Sequence, residues 1–169
     1  PNGLFNLVLG SGSDIGNKIA THPDIAAITF TGSVEIGKKL YHDSSPTLKK
    51  MQMEMGSKNP LVVMDDADLQ TAITCAANGA FGGTGQKCTA SSRLIVHENI
   101  YKEFVEGLIE NIKKLKVGHA LDEGTQMGPA SNHNQYESNL NYVEIGKGEA
   151  KLAFGGNPMN MRTPGYYIC

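Results

Sequence analysis

Apolar positions change their spacing several times along the chain, and each change marks an element. The run Leu4 to Leu9, broken only by Asn6 and closed by Gly10, predicts a strand. In the polar stretch that follows, Ser13 or Asp14 is placed to cap a helix running to about Ala20. His22-Pro23 ends that helix, because the residue before a proline avoids the helical region. Ile25 to Phe30 predicts a second strand. Thr31 to Ser45 reads as a loop entering a second helix. Strand, helix, strand, helix requires crossover connections and therefore a parallel sheet, an α/β fold.

The pattern continues in the same vein. "LKKMQMEM" alternates polar and apolar positions, and "NPLVVMDD" reads as a strand of the buried type. In "ADLQTAITCAANGAF", Leu69, Ile73, Ala76 and Ala80 recur at close to helical spacing, with Asp66 or Asp68 at the start as cap. Cys75 lies inside this helix and is expected to be a small buried hydrophobe. After a glycine-rich loop, "SRLIVH" predicts a strand. "NIYKEFVEGLIENIKKL" predicts a long amphipathic helix whose stripe, Ile100, Phe104, Leu108, Ile112 and Leu115, is core. "GHALDEGTQMGPASN" reads as a loop, "HNQYESNLNYVEIGKG" as a helix ended by glycine, and "AKLAFGG" as a strand. The closing "GYYIC" reads as a strand entered and not finished, so the chain is expected to be a piece of a longer protein.

Composition narrows the function classes. The 169 residues are 40% hydrophobic and 19% charged, enough for a real core. A net charge of −2 offers no basic surface for nucleic acid or for an anionic membrane. No apolar run approaches a membrane span, and the N-terminus lacks the basic start of a secretory signal, so a cytoplasmic setting is expected. Three cysteines and five scattered histidines form neither a disulfide framework nor a metal-ligand spacing, and no metal is expected.

Three stretches carry candidate chemistry. "GSVEIGKK", Gly32 to Lys39, approaches a nucleotide-triphosphate loop but has Lys39 where a magnesium-holding hydroxyl belongs. It still opens a helix after a strand, where free amides and a positive dipole suit a pyrophosphate. "GSGSDIG", Gly10 to Gly16, resembles a dinucleotide fingerprint with one extra residue. A tight turn with close helix packing explains its glycines equally well. Glu54, flanked by Met53 and Met55, reads either as an exposed strand carboxylate or as a general base desolvated by its neighbours. Cys88 stands in "GTGQKCTASS", among glycines and small hydroxyl residues that leave room for a substrate. Lys87 beside it favours the thiolate. The alternative is an ordinary loop cysteine.

Taken in order, "FTGSVEIGKKL", "MEMGSKNPLVVMDDADL", "FGGTGQKCTASSRLIVHE" and "DEGTQMGP" resemble the aldehyde dehydrogenase superfamily. The stretch around Cys88 looks most like the branch acting on α-ketoglutaric semialdehyde (2,5-dioxopentanoate), with succinate semialdehyde as the nearest alternative substrate. The resemblance implies an NAD- or NADP-dependent oxidation of a small aldehyde. It makes Cys88 the nucleophile, Glu54 the base that activates the hydrolytic water, and the Cys88 amide an oxyanion donor. It places Gly12 and Gly16 beside the adenosine and in the packing of the first helix. It places Gly32 and Ser33 at the pyrophosphate, Ile36 beside the cofactor and Gly56 beneath the nicotinamide. Lys87 and Thr89 would line the substrate tunnel. Ser57 stands where the family usually has a second glycine, and His119 where an acidic or amide residue is common.

The same resemblance implies that the chain covers about the middle third of a family member. Residues 1–55 would then be the end of a Rossmann-like NAD(P)-binding domain and residues 56–169 the start of the catalytic domain. The full-length parent would be a homo-oligomer. The isolated chain is expected to be inactive, since the oxyanion-hole asparagine and the ribose contacts lie outside it. The rival from another class is a nucleotide-binding module without chemistry.

Overall fold

The computed structural model describes all 169 residues. They form two compact units, Pro1–Ser57 and Lys58–Cys169. No helix is long and apolar enough to cross a membrane.

The first unit is a strand–helix–strand crossover. A π-helical turn, Gly12–Gly16, leads into α1 (Asn17–Thr21), then β1 (Ala27–Gly32), α2 (Val34–Ser44), a 3₁₀ turn (Ser45–Thr47) and β2 (Lys50–Met55). β1 and β2 pair in parallel, with Ile28 opposite Met51, Phe30 opposite Met53 and Thr31 opposite Glu54. Period two therefore gathers Ile28, Phe30, Met51, Met53 and Met55 on one face. α2 packs on both strands. Its Gly37 makes this possible: a Cβ there would lie 2.5 Å from the Met55 sulfur. Lys49 stitches the start of β2 back to the turn before β1, donating to the carbonyls of His22 and of Ile25, the latter at 2.7 Å.

Three expectations are corrected in this unit. Leu4 to Leu9 is not a strand. The run has no neighbour to pair with, and its apolar side chains stand 66–88% exposed. The π-helical turn that leads into α1 is capped by Ser11, not by Ser13 or Asp14: the Ser11 hydroxyl accepts the Asp14 amide at 3.2 Å. The strand expected over Ile25 to Phe30 is shifted to Ala27–Gly32.

The second unit repeats the crossover and adds helices. β3 (Asn59–Val63) and β4 (Ser91–Val96) pair in parallel, joined through α3 (Leu69–Phe81). A 3₁₀ turn over Glu98–Ile100 enters α4 (Tyr101–Ile112). α5 (His133–Glu149) and a short antiparallel hairpin, β5 (Pro158–Met159) with β6 (Tyr167–Ile168), complete it. The core is Val63, Ile73, Ala76 and Phe104, where α3 and α4 meet β3. Phe104 is fully buried, and Ile100 and Leu108 of its stripe pack around it. Of the two candidate caps for α3, Asp68 serves: its carboxylate accepts the Thr71 amide at 2.8 Å.

Four readings are corrected here. Cys75 is exposed, because it sits on the face of α3 opposite Ile73 and Ala76. β3 is not buried on both faces: Val63 is buried while Val62 is exposed. Gly146 and Gly148 do not end α5, which runs to Glu149. Residues 150–156 form no strand. Leu152 and Phe154 lie partly exposed without a pairing neighbour, and the hairpin forms just downstream.

Candidate functional site

In the first unit the glycine stretches border one cavity of about 670 Å³. Gly12, Gly16 and Ile36 line it together with Phe30 and Lys39. That volume is in the range of sites that enclose a cofactor-sized ligand. Gly12 and Gly16 have no atom within 4 Å of where a Cβ would stand, and neither has a positive φ. Turn strain and close packing, one of the two readings of this stretch, are therefore not seen at Gly12 or Gly16. What remains is bare backbone at a cavity wall, open to close approach by a ligand.

Gly32 and Ser33 form the step from β1 into α2. A Cβ on Gly32 would strike the Phe30 ring at 2.4 Å, so the step is closed to larger residues by packing. The Ser33 hydroxyl caps α2 by accepting the Ile36 amide at 3.3 Å. The amides of the helix's first turn have no acceptor within the helix, and the dipole is positive there. Gly56 follows β2, again with open space where a Cβ would be.

Glu54 lies on β2 and is exposed. Met53 and Met55 turn to the opposite face, as alternation along a strand demands, so they do not desolvate the carboxylate. Of the two readings of Glu54, the exposed strand carboxylate is the one found.

In the second unit, Lys87, Cys88 and Thr89 share one tight turn. The Ala90 amide closes it on the Lys87 carbonyl at 3.1 Å, which puts Cys88 at the first corner, exposed. The chain reaches this turn through a sharp reversal after α3. Gly83, Thr84 and Gly85 have φ of 63°, 63° and 66°. Glycine accepts this left-handed region freely, whereas Thr84 does so at a cost. A Cβ on Gly85 would sit 2.8 Å from the Ala80 carbonyl oxygen.

Side chains pin the reversal and the turn from two directions. The Thr84 hydroxyl donates to the Gly128 carbonyl at 3.2 Å. Gln86 accepts the Ser131 amide at 2.9 Å and donates to the Pro129 carbonyl at 3.4 Å. From β3, the Asn59 amide donates to the Cys88 carbonyl at 2.7 Å and to the Ala90 carbonyl at 3.1 Å. Lys87 folds back over the Gly82–Gly83 step, its Cε 2.9 Å and its ammonium 3.7 Å from where a Gly83 Cβ would be. Sequence reading missed Thr84, Gln86 and Asn59. Only the Asn59-Pro60 pair hinted at a special position, and nothing local ties residue 59 to residue 88.

The aldehyde dehydrogenase family model matches residues 1–169. The chain belongs to the aldehyde dehydrogenase family. It is 44% identical over 99% of its length to an alpha-ketoglutaric semialdehyde dehydrogenase of Bacillus subtilis, covering 35% of that enzyme. It is 43% identical over 99% of its length to a betaine aldehyde dehydrogenase of Brucella anthropi, again covering 35%. Among solved structures, the NAD⁺ complex of a Staphylococcus aureus betaine aldehyde dehydrogenase superposes with a TM-score of 0.89 at 33% identity, over 91% of this chain and 31% of that one. The chain thus spans about a third of the length of the family relatives it matches.

Proposed function

We propose that the full-length protein carrying these residues is an NAD(P)-dependent aldehyde dehydrogenase, with Cys88 as its nucleophile. The observation that carries this reading is the exposed thiol at the corner of a turn that two hydrogen bonds from Asn59 hold in place and that two more, at Gln86 just before it, anchor. Holding a nucleophile in one geometry is what an oriented attack requires. Residues 1–55 serve as the end of the cofactor domain and residues 56–169 as the start of the catalytic domain. The division into compact units at Ser57 and Lys58 supports this.

The cavity beside Gly12, Gly16 and Ile36, and the α2 N-terminus behind Gly32 and Ser33, fit a dinucleotide. A bound dinucleotide would supply the hydride acceptor for the oxidation. The chain's own residues do the rest. The Cys88 thiolate forms a bond to the aldehyde carbon, giving a thiohemiacetal whose oxyanion faces the Cys88 amide. Loss of hydride from that carbon leaves a thioester on Cys88. Glu54 takes a proton from water, and the resulting hydroxide displaces the Cys88 sulfur to release a carboxylate. An exposed carboxylate on β2 is open to that water.

For the substrate, we favour 2,5-dioxopentanoate, oxidised to 2-oxoglutarate, over succinate semialdehyde. Support comes from the similarity to enzymes named for this aldehyde in Bacillus subtilis and Saccharolobus solfataricus. Lys87 adds a chemical reason: it precedes the thiol in the same loop, and its ammonium, folded back over the Gly82–Gly83 step, is a cation that suits a substrate bearing a carboxylate. The equally similar betaine aldehyde enzymes take a cationic aldehyde, which a lysine here disfavours.

Two assays on the full-length protein test the reading. Glu54→Gln is expected to give a burst of NAD(P)H near one equivalent and then a turnover at least ~100-fold slower, with a thioester adduct on Cys88 by mass spectrometry. A variant that turns over normally refutes the role of Glu54. Lys87→Met is expected to lower kcat/KM for the acidic aldehyde by about tenfold relative to betaine aldehyde, the worth of one partly screened ion pair. Equal effects on both aldehydes would remove Lys87 from substrate selection.

A further inference from the structure

We infer that Asn59 is a positioning residue for the Cys88 thiol. The inference rests on Cys88 being the nucleophile. The Asn59 amide nitrogen carries two hydrogens and uses them on two carbonyls of the same turn, Cys88 at 2.7 Å and Ala90 at 3.1 Å. The Cys88 carbonyl belongs to the central peptide of the turn. That peptide is the unit whose flip interconverts the two common turn types, changing ψ of the first corner residue and φ of the second. Holding the Cys88 oxygen fixes the peptide in one orientation and with it the backbone torsion that aims the thiol. Thr89, β-branched and not at positive φ, disfavours the flipped form as well.

The second consequence is mechanical. Asn59 begins β3, and its backbone is already in register with Ser91 of β4. The amide therefore ties the thiol turn to a paired strand instead of leaving it to move with its loop. The register shifts by one residue between Asn59 and Pro60, and Pro60 has no amide to donate. The shift leaves Ser92 of β4 unpaired, directly after the residue pair whose Asn59 side chain reaches the turn. Arg93 braces the same strand end differently: its Nε donates to the Lys58 carbonyl at 3.0 Å, and its Nη2 donates to the same oxygen. Arg93 thus supports the strand without touching the turn.

The test uses the full-length enzyme with Asn59→Ala, Asn59→Asp, Arg93→Met and Cys88→Ser. The readings are kcat, KM for aldehyde and for cofactor, and melting temperature. Asn59→Ala is expected to lower kcat by about 10- to 100-fold with both KM values within about threefold, the pattern of a misplaced nucleophile. Asn59→Asp keeps the shape, loses the donors and sets an anion against two carbonyl oxygens, so its loss is at least as large. Arg93→Met lowers the melting temperature and keeps kcat within about twofold. The inference is overturned if either Asn59 variant folds and keeps kcat within about twofold. It is also overturned if Arg93→Met loses as much kcat as Asn59→Ala, or if neither Asn59 variant folds, since the clasp would then serve only stability. An active Cys88→Ser would instead remove the reading on which the inference stands. An inactive Cys88→Ser beside fully active Asn59 variants removes the inference alone.

Discussion

Thr84 is the residue at which the thiol loop's geometry can be weighed most directly. Its φ of 63° puts a β-branched side chain in the left-handed region, in the middle of the reversal that carries the chain from α3 to Cys88. That conformation costs an L-residue about 1–2 kcal/mol. Against the cost stands the hydrogen bond from its hydroxyl to the Gly128 carbonyl at 3.2 Å, worth about 1 kcal/mol net. Thr84→Ala loses the bond and keeps the strain, so it is expected to destabilise by about 1 kcal/mol. Thr84→Gly loses the same bond and sheds the strain. Glycine's greater freedom in the unfolded chain takes back about 0.4–1 kcal/mol. The glycine variant should therefore sit about 1 kcal/mol above the alanine variant, close to wild type. Urea unfolding followed by far-UV circular dichroism reads this as a midpoint difference of about 0.5 M. At an ordinary helical position the order is reversed, with alanine about 1 kcal/mol above glycine. Finding that reversed order at residue 84 would refute the left-handed reversal, and with it the described approach to the thiol.

Other predictions address the core and the caps. A Cβ on Gly107 of α4 would lie 2.5 Å from the terminal methyl of Ile73 on α3. Gly107→Ala should cost about 1 kcal/mol net of helix propensity, and Ile73→Val about 1 kcal/mol. The pair should couple favourably by at least ~1 kcal/mol in a urea double-mutant cycle, and additivity within about 0.5 kcal/mol would contradict the contact. The Tyr167 hydroxyl is buried without a hydrogen-bond partner, so Tyr167→Phe should raise stability by about 1 kcal/mol, and a loss of that size would reveal an unseen partner. Hydrogen bonds from Thr71, its hydroxyl first and its backbone amide second, hold the Asp68 carboxyl below the usual carboxylate range. The unfolded chain therefore takes up that proton at a higher pH than the folded one. The stabilisation of α3 is complete above the usual range and is lost as pH falls through the lowered folded value. Stability measured against pH should fall less steeply at acid pH for Asp68→Asn than for wild type, and parallel curves would argue against the cap.

Elements held by contacts near in sequence were legible from it. The Phe104 stripe follows from spacing, because a helix writes its buried face at every third or fourth residue, and the α3 cap was narrowed to Asp66 or Asp68, of which Asp68 serves; the Ser33 cap was not read. Strands were harder, since an apolar run becomes a strand only where a partner pairs with it. Leu4 to Leu9 and residues 150–156 have the composition and lack the partner. Cys75 was misread because it was judged by residue type: the periodicity of Leu69, Ile73 and Ala76 already puts position 75 on the opposite face of α3. In the candidate site, residue types around Cys88 left a nucleophile and an ordinary loop cysteine open, and the family resemblance favoured the first. The Asn59 clasp joins positions 29 apart, and the Gln86 bond to Ser131 joins positions 45 apart. Contacts of that range arise from the parallel pairing of β3 with β4 and from the packing of the following loop, neither of which leaves a local mark. Glu54 was left between an exposed carboxylate and one desolvated by its methionines, and strand alternation, which turns Met53 and Met55 away, decides for the first.

The central claim is that Cys88 performs the chemistry, and the most direct measurement is NAD(P)H formation by the full-length protein, wild type against Cys88→Ser. The assay supplies 2,5-dioxopentanoate, succinate semialdehyde and a simple aliphatic aldehyde in turn. The account predicts turnover by wild type, fastest with 2,5-dioxopentanoate, and a loss of at least ~10³-fold in Cys88→Ser while cofactor binding persists. Undiminished turnover by Cys88→Ser, or a wild type that oxidises none of these aldehydes, would contradict it.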